Sequence, residues 1–201
     1  MNLQQTLGAL LLSGLLFLGG GPAIAKSKPP LQTPAKVDMN RFLGLWYEIA
    51  YTPNPFEKQC VANTTDEYFQ LSPKLLKVIN RCDTTGKPFM AEGRSKILDE
   101  SGAKQRTTFL KLLGWIYLPL GDFWITALDE DYQAFIVAQP SRRYGWIMGR
   151  TPSLPTETLQ HLAQKLKEQG YDPCEFVTTP HTKGLEKSQS LCTVTGITVP
   201  H

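Results

Sequence analysis

The chain has 201 residues, 41% of them hydrophobic, and its 21 Lys and Arg against 18 Asp and Glu give a formal net charge of +3. That length suits one domain or two small ones, and the apolar content can fill a sizeable core. The basic residues are scattered, with no Lys/Arg block interleaved with aromatics, which argues against nucleic acid as a partner.

At the N-terminus, residues 7–18 form a nearly unbroken apolar run, closed by Gly19-Gly20-Gly21-Pro22. Ala23-Ile24-Ala25 then puts small residues at the −3 and −1 positions of a cleavage site before Lys26. Residues 1–25 therefore read as a secretory signal peptide, since the run is short for a bilayer span. Met1-Asn2-Leu3-Gln4-Gln5 carries no Lys or Arg, which leaves an uncleaved membrane anchor as the alternative. No cysteine follows the apolar run to carry a bacterial lipoprotein anchor, so the mature protein is expected to be exported and soluble. Residues 26–40, with Pro29, Pro30 and Pro34, read as an extended linker.

From Trp46 onward the chain is a procession of strand candidates at 46–52, 61–71, 75–82, 89–98, 106–113, 123–128, 133–139 and 144–150. Turn residues separate them: Pro53-Asn54-Pro55, Ser72-Pro73-Lys74, Thr84-Thr85-Gly86, Ser101-Gly102 and Asp129-Glu130-Asp131. Nothing helical interrupts the series, which excludes a parallel α/β sheet and predicts an antiparallel up-and-down barrel or a sandwich. One amphipathic helix follows, with Leu159, Leu162, Ala163 and Leu166 on one face, Pro155 in its first turn and Gly170 past its end. Residues 41–180 make the barrel and helix, and 181–201 read as a loosely ordered tail held by Cys192.

Four cysteines, Cys60, Cys82, Cys174 and Cys192, all follow the cleavage point. An even count in an exported chain favours two disulfides, with three possible connectivities. Zinc is the alternative, because Cys174, His181, Cys192 and His201 share the tail, but their spacings include no close ligand pair. No metal and no cofactor is expected.

Three stretches carry a family resemblance. Gly44-Leu45-Trp46-Tyr47-Glu48-Ile49-Ala50 resembles the G-x-W motif of the lipocalins, in the form found in the bacterial and apolipoprotein D-like branch. Leu128-Asp129-Glu130-Asp131-Tyr132 is similar to the second motif, and Trp146-Ile147-Met148-Gly149-Arg150-Thr151-Pro152 to the third. The resemblance spans roughly residues 40–175 and implies an all-β, eight-stranded antiparallel up-and-down barrel, a calyx, with the helix packed outside. It also implies the bacterial periplasm as the compartment.

Strand alternation brings the three motifs to one end, so Gly44, Trp46, Asp131, Tyr132 and Arg150 are expected to close the barrel floor, with the Arg150 guanidinium over the Trp46 indole. Tyr144, Trp146 and Met148 share a face of the eighth strand with Arg150 and are expected to climb the cavity wall. The resemblance adds Tyr68 to that wall. Trp124 is a further candidate whose face depends on register.

Residues 113–121 fall at the opposite, open end, where Trp115, Ile116, Tyr117 and Leu118 make an unusually apolar loop. It could be a lid, a membrane contact, a dimer interface or a self-packed turn. For the cysteines, the resemblance implies Cys60–Cys192 and leaves Cys82–Cys174. The rival is Cys60–Cys82 with Cys174–Cys192. A hairpin turning near Pro73 places Cys82 opposite Asn63 or Thr64, about three residues or roughly 10 Å from Cys60 unless the strand curls.

The function implied is binding, storage or transport of a small hydrophobic ligand: a fatty acid, a lysophospholipid or an isoprenoid or pigment. The protein would be a monomer or weak dimer, with transient membrane contact. An enzyme on the same scaffold is the alternative, but His161 lies on the helix, His181 and His201 lie in the tail, and no nucleophile elbow or phosphate loop is present. A scavenging or structural role at the envelope, through the apolar loop, is the third reading. A head group could meet Arg94, Lys96 or Arg106, whose facing the sequence leaves open.

Overall fold

The computed structural model describes residues 30–198, so the signal segment and His201 lie outside the described residues. Eight strands run β1(Gly44–Tyr51), β2(Ala62–Ser72), β3(Leu75–Asp83), β4(Phe89–Ile97), β5(Lys104–Thr108), β6(Asp122–Leu128), β7(Ala134–Ala138) and β8(Gly145–Gly149). Each pairs antiparallel with the next, and β1 pairs with both β2 and β8, so the sheet closes on itself. A closed sheet has no free edge to template aggregation. Helix α1(Met39–Phe42) precedes β1, and helices α2(Thr156–Glu168) and α3(Leu191–Thr195) follow the barrel. Among the described residues no helix is long and apolar enough to cross a membrane.

Alternation along each strand sorts the apolar side chains into two cores. The inner one holds Phe42, Trp46, Ile125, Phe135, Trp146 and Met148, with Tyr51, Tyr68, Phe123, Val137 and Tyr144 against it. The outer one lies between the barrel wall and α2. Ile49, Ala134, Ile136, Ala138 and Ile147 meet Leu159, Leu162, Ala163 and Leu166 there. Ala134 and Ala138 alternate with Ile136 on β7, and their small side chains let the helix approach the sheet closely. The helix ends where Gly170 takes φ +80°, with Gly170 N–H donating to Lys167 O and Tyr171 N–H to Leu166 O, which satisfies the last carbonyls.

Three elements differ from the sequence reading. The fifth strand stops at Thr108, because the apolar residues after it form the loop and not more sheet. The tail is packed, not loose. A ninth strand, β9(Val177–Thr178), pairs antiparallel with β1 at Ala50 and Tyr51, on the upper part of β1, which β2 has left. Its continuation buries His181, and α3 buries Leu191 and Thr195. The Pro-rich segment is likewise anchored in part, with Leu31 and Val37 buried.

The disulfides are Cys60–Cys82, with Cα atoms 5.5 Å apart, and Cys174–Cys192, at 4.9 Å. The pairing Cys60–Cys192 with Cys82–Cys174 is thus incorrect. An ideal hairpin would keep Cys60 and Cys82 apart, but this one is irregular. In fact the β2–β3 register shifts between Ala62 and Thr65, where Asn63 takes φ +54°, so Ala62 stands opposite Asp83. That irregularity curls the strand and brings Cys60 beside Cys82. The second bond ties α3 to the short turn at Pro173–Glu175, and with both thiols bridged, Cys174 and Cys192 are not zinc ligands.

Candidate functional site

The floor of the barrel is built first by Gly44. Its φ of +93° is a conformation that L side chains rarely adopt, and a Cβ there would approach Arg150 Nη1 to 3.6 Å. The chain enters at that point with Trp46 wholly buried and its Nε1 donating to Phe42 O at 2.8 Å. Phe42 and Phe135 stand edge-on to one another with centroids 5.0 Å apart; Phe135 is edge-on to the Trp46 indole at 4.6 Å, and Phe42 is tilted against it at 5.6 Å. Arg150 lies over the Trp46 ring at 3.6 Å and donates to Leu45 O, Arg41 O, Phe42 O and Tyr132 O. One guanidinium therefore ties α1, β1 and the β6–β7 turn together. Tyr132 closes the same end, its hydroxyl accepting from Asp38 N and its ring beneath Arg41. Asp131 sits exposed at the tip of that turn; the carboxylate that accepts there, from Gln133 N, is Asp129's.

Above the floor, Met148 and Trp146 of β8 and Tyr144 just before it face the inner cluster, and Tyr68 lies on β2 with its ring 5.1 Å from Phe42. Trp146 packs edge-on to Phe123 at 5.3 Å, and Tyr144 to Phe56 at the rim at 5.2 Å. Trp124 does not belong to this wall. On β6 the inward positions are Phe123 and Ile125, so Trp124 joins the outer cluster with Lys104 over its ring at 4.9 Å. Tyr51, Asp66, Tyr68, Asn80, Phe123 and Tyr144 point inward yet keep partial solvent access. In a closed barrel that requires some space between the walls that side chains do not fill.

Sequence reasoning missed a group of acids. Glu57, on the loop after β1, accepts from Trp146 Nε1 at 2.9 Å, and Glu48 is buried and accepts from Thr179 Oγ1. Asp66 stands near the Tyr68 hydroxyl. Burial first, and the neighbouring Glu57 second, raise the Glu48 carboxyl well above the usual range and push Asp66 up to about 7. Glu57 is raised by burial as well. The only signal in the sequence was the two-residue spacing of Asp66 from Tyr68, which shares its face. A cavity of about 280 Å3 opens beside these acids, where β2 parts from β1, lined by Glu48, Tyr51, Glu57, Val61, Thr64, Thr179 and Pro180. The strap after β9 covers it: Asn63 N–H donates to Pro180 O, and His181 Nε2 lies 2.7 Å from Glu48 O. His181 is depressed by its burial and packs edge-on to Tyr47, away from the barrel interior.

At the open end the loop after β5 folds down over the outside of the wall. Arg94 lies 4.6 Å from the centroid of Trp115, and Lys96 3.9 Å from that of Tyr117. Those two aromatics are therefore held against the barrel. The solvent-facing apolar surface is instead Leu110, Leu112, Leu113, Ile116, Leu118 and Leu120.

A lipocalin-like domain family matches residues 37–181. Temperature-induced lipocalin-1 of Arabidopsis thaliana is 30% identical over 161 residues, covering 77% of this chain and 85% of the plant protein. Apolipoprotein D of Rattus norvegicus is 29% identical over 180 residues, with 83% and 89% covered. Outer membrane lipoprotein Blc of Escherichia coli K12 is 28% identical over 140 residues, with 70% and 77% covered. Among solved structures, insecticyanin of Manduca sexta superposes with a TM-score of 0.63 at 22% identity, over 78% of this chain and 87% of its own, which shows the same fold.

Proposed function

This chain belongs to the lipocalin family, and from that membership we propose that it binds one small apolar molecule inside the barrel, as a binding, storage or transport protein and not as an enzyme. The observation that carries the reading is the set of inward aromatics, Tyr51, Tyr68, Phe123, Tyr144 and Trp146, that remain partly accessible or line an accessible wall above a sealed Trp46–Arg150 floor. Burial of apolar ligand surface in such a cup contributes roughly 25 cal/mol per Å2 before ordering costs. The apolar body would be that of a fatty acid, a lysophospholipid or an isoprenoid. Two disulfides fit an exported protein working in an oxidising compartment such as the periplasm. Titrating delipidated, oxidised protein with a ligand of each class is expected to give saturable tryptophan quenching that shrinks in Trp146→Phe. No saturation with any of them would remove the calyx reading.

A membrane as the source or destination of the ligand is favoured by one specific feature. The exposed leucines at 112 and 113 stand next to Lys111, on a loop whose Trp115 and Tyr117 are already packed under Arg94 and Lys96. An apolar tip beside basic groups and interfacial aromatics suits an anionic bilayer surface. Changing Leu112 and Leu113 together to Ser is expected to lower co-sedimentation with anionic vesicles severalfold while calyx binding persists; equal co-sedimentation of the variant and the parent would dismiss the membrane role.

A further inference from the structure

The register decides which polar side chains face the ligand. Cross-strand partners share a face, so Trp46 on β1, Asp66 on β2, Asn80 on β3 and Ala91 on β4 all look inward. Tyr68, Val78 and Gly93 form the neighbouring row, and Phe109 lays its ring over Gly93, where a Cβ would come within 2.7 Å of it. Around the whole wall, from β1 to β8, no inward strand position holds Lys, Arg or His. The cations of the same strands are outside. Arg94 and Lys96 lie under the loop aromatics, Arg106 is paired with Asp122, Lys77 covers Phe69 and Lys104 covers Trp124.

The ionisable groups that face inward are thus all acids. Asp66 lies inside the wall, Glu57 hangs over it from the mouth loop and Glu48 stands beside them on β1. A second observation points to a missing donor. The Oδ1 atom of Asn80, next to Asp66 across the strand pair, is fully enclosed and has no hydrogen-bond partner. Buried acceptors are ordinarily paired, and one left unpaired on the inner wall calls for a donor.

We propose that the calyx selects amphiphiles whose head group donates hydrogen bonds or carries positive charge, with Asp66 and Asn80 receiving it, and discriminates against carboxylate head groups. This rests on the calyx reading and narrows it: of the apolar ligands that fit the barrel, neutral hydroxyl- and amine-headed ones are favoured over fatty-acid anions. An anionic head would be brought into a poorly solvated space already holding Asp66 and Glu57, with no cation at an inward strand position to offset it. The groups facing Asp66 are Glu57 from the mouth loop, Glu48 from β1, and the hydroxyl of Tyr68 on its own strand. Burial and the neighbouring Glu57 push Asp66 up to about 7, so the preference for an ammonium head is expected to strengthen as pH rises from about 6 to about 8.

The test is calorimetric titration of the oxidised protein at about pH 8, above the Asp66 midpoint, with dodecylammonium, dodecanol and dodecanoate, each below its self-association limit. Dodecylammonium and dodecanol are expected to bind at least about tenfold more tightly than dodecanoate. In Asp66→Asn the ammonium-over-carboxylate ratio is expected to fall about tenfold, with dodecanol nearly unchanged. Dodecanoate binding as tightly as dodecylammonium, or a ratio unmoved by the substitution, overturns the inference while the calyx reading stands. Saturable binding of none of the three removes the calyx reading and this inference with it. The ranking in the unsubstituted protein decides the matter even if the variant folds poorly.

Discussion

Replacing Trp46 by Ala is expected to destabilise the protein by about 3–5 kcal/mol, the range for deleting a fully buried Trp or Phe. Trp46 is buried completely, packs against Phe42 and Phe135, and carries the Arg150 guanidinium on its face. Removing the ring therefore opens a cavity and strands a partly buried cation in the same step. For a chain of this size the loss corresponds to a fall in melting temperature on the order of 10 °C. Thermal or urea unfolding measures it, and a fall of only a degree or two would mean that the floor is not the keystone described here. Arg150→Lys is expected to be damaging too, because an ammonium cannot reach the carbonyls of Arg41, Phe42, Leu45 and Tyr132 together as the planar fork does.

Removing either disulfide as a pair of Cys→Ser changes is expected to cost about 3 kcal/mol, the loop-closure value for bridges that span 22 and 18 residues. The two losses differ in consequence. Cys60–Cys82 fixes the mouth loop that carries Glu57 against the end of β3, so its removal is expected to weaken ligand binding along with stability. Cys174–Cys192 clips α3 to the outside of the barrel, so its removal is expected to loosen the tail and spare the calyx. Peptide mapping without reduction gives the direct check: a fragment joining Cys60 to Cys82 supports this account, and one joining Cys60 to Cys192 contradicts it.

Most of the architecture was legible in the sequence because alternation and turn chemistry are local. Ser72-Pro73-Lys74 marks the β2–β3 hairpin, and Leu159, Leu162, Ala163 and Leu166 mark the buried face of α2. The floor was legible because one end of the barrel collects three motifs, and Trp46, Tyr132 and Arg150 do meet there. What escaped was set by departures from regular pairing. The shift at Asn63 moved Cys60 to Cys82, a change that no residue count along an ideal hairpin contains. Trp124 was misplaced because only the pairing of Lys104 with Trp124 and of Gln105 with Phe123 decides which neighbour faces inward. The apolar run after Thr108 extended the strand on paper, whereas its aromatics pack outside against Arg94 and Lys96 through cation–π contacts that no periodicity encodes. The β9 strap depends on a contact between residues near 50 and 178, and such a separation leaves no local trace beyond the short β-branched run Val177-Thr178-Thr179.

The acids at Glu48, Glu57 and Asp66 escaped for a related reason. Each looks solvated in the sequence, and only closure of the barrel turns them inward. Glu48 in particular sits between the wall and the strap, accepting from Thr179, so the same side chain helps hold the strap and adds an acid beside the interior.

The ligand is expected to lie inside the barrel above Trp46. The four tryptophans test it most directly, because they occupy four different places: Trp46 in the floor, Trp146 on the wall, Trp124 on the outer face and Trp115 in the mouth loop. Four variants, each retaining one tryptophan with the other three changed to Phe, would be titrated with an amphiphile brominated along its chain. Strong saturable quenching of Trp146 and none of Trp124 are expected. Quenching of Trp124 or Trp115 with Trp146 untouched would put the ligand outside the barrel and contradict it.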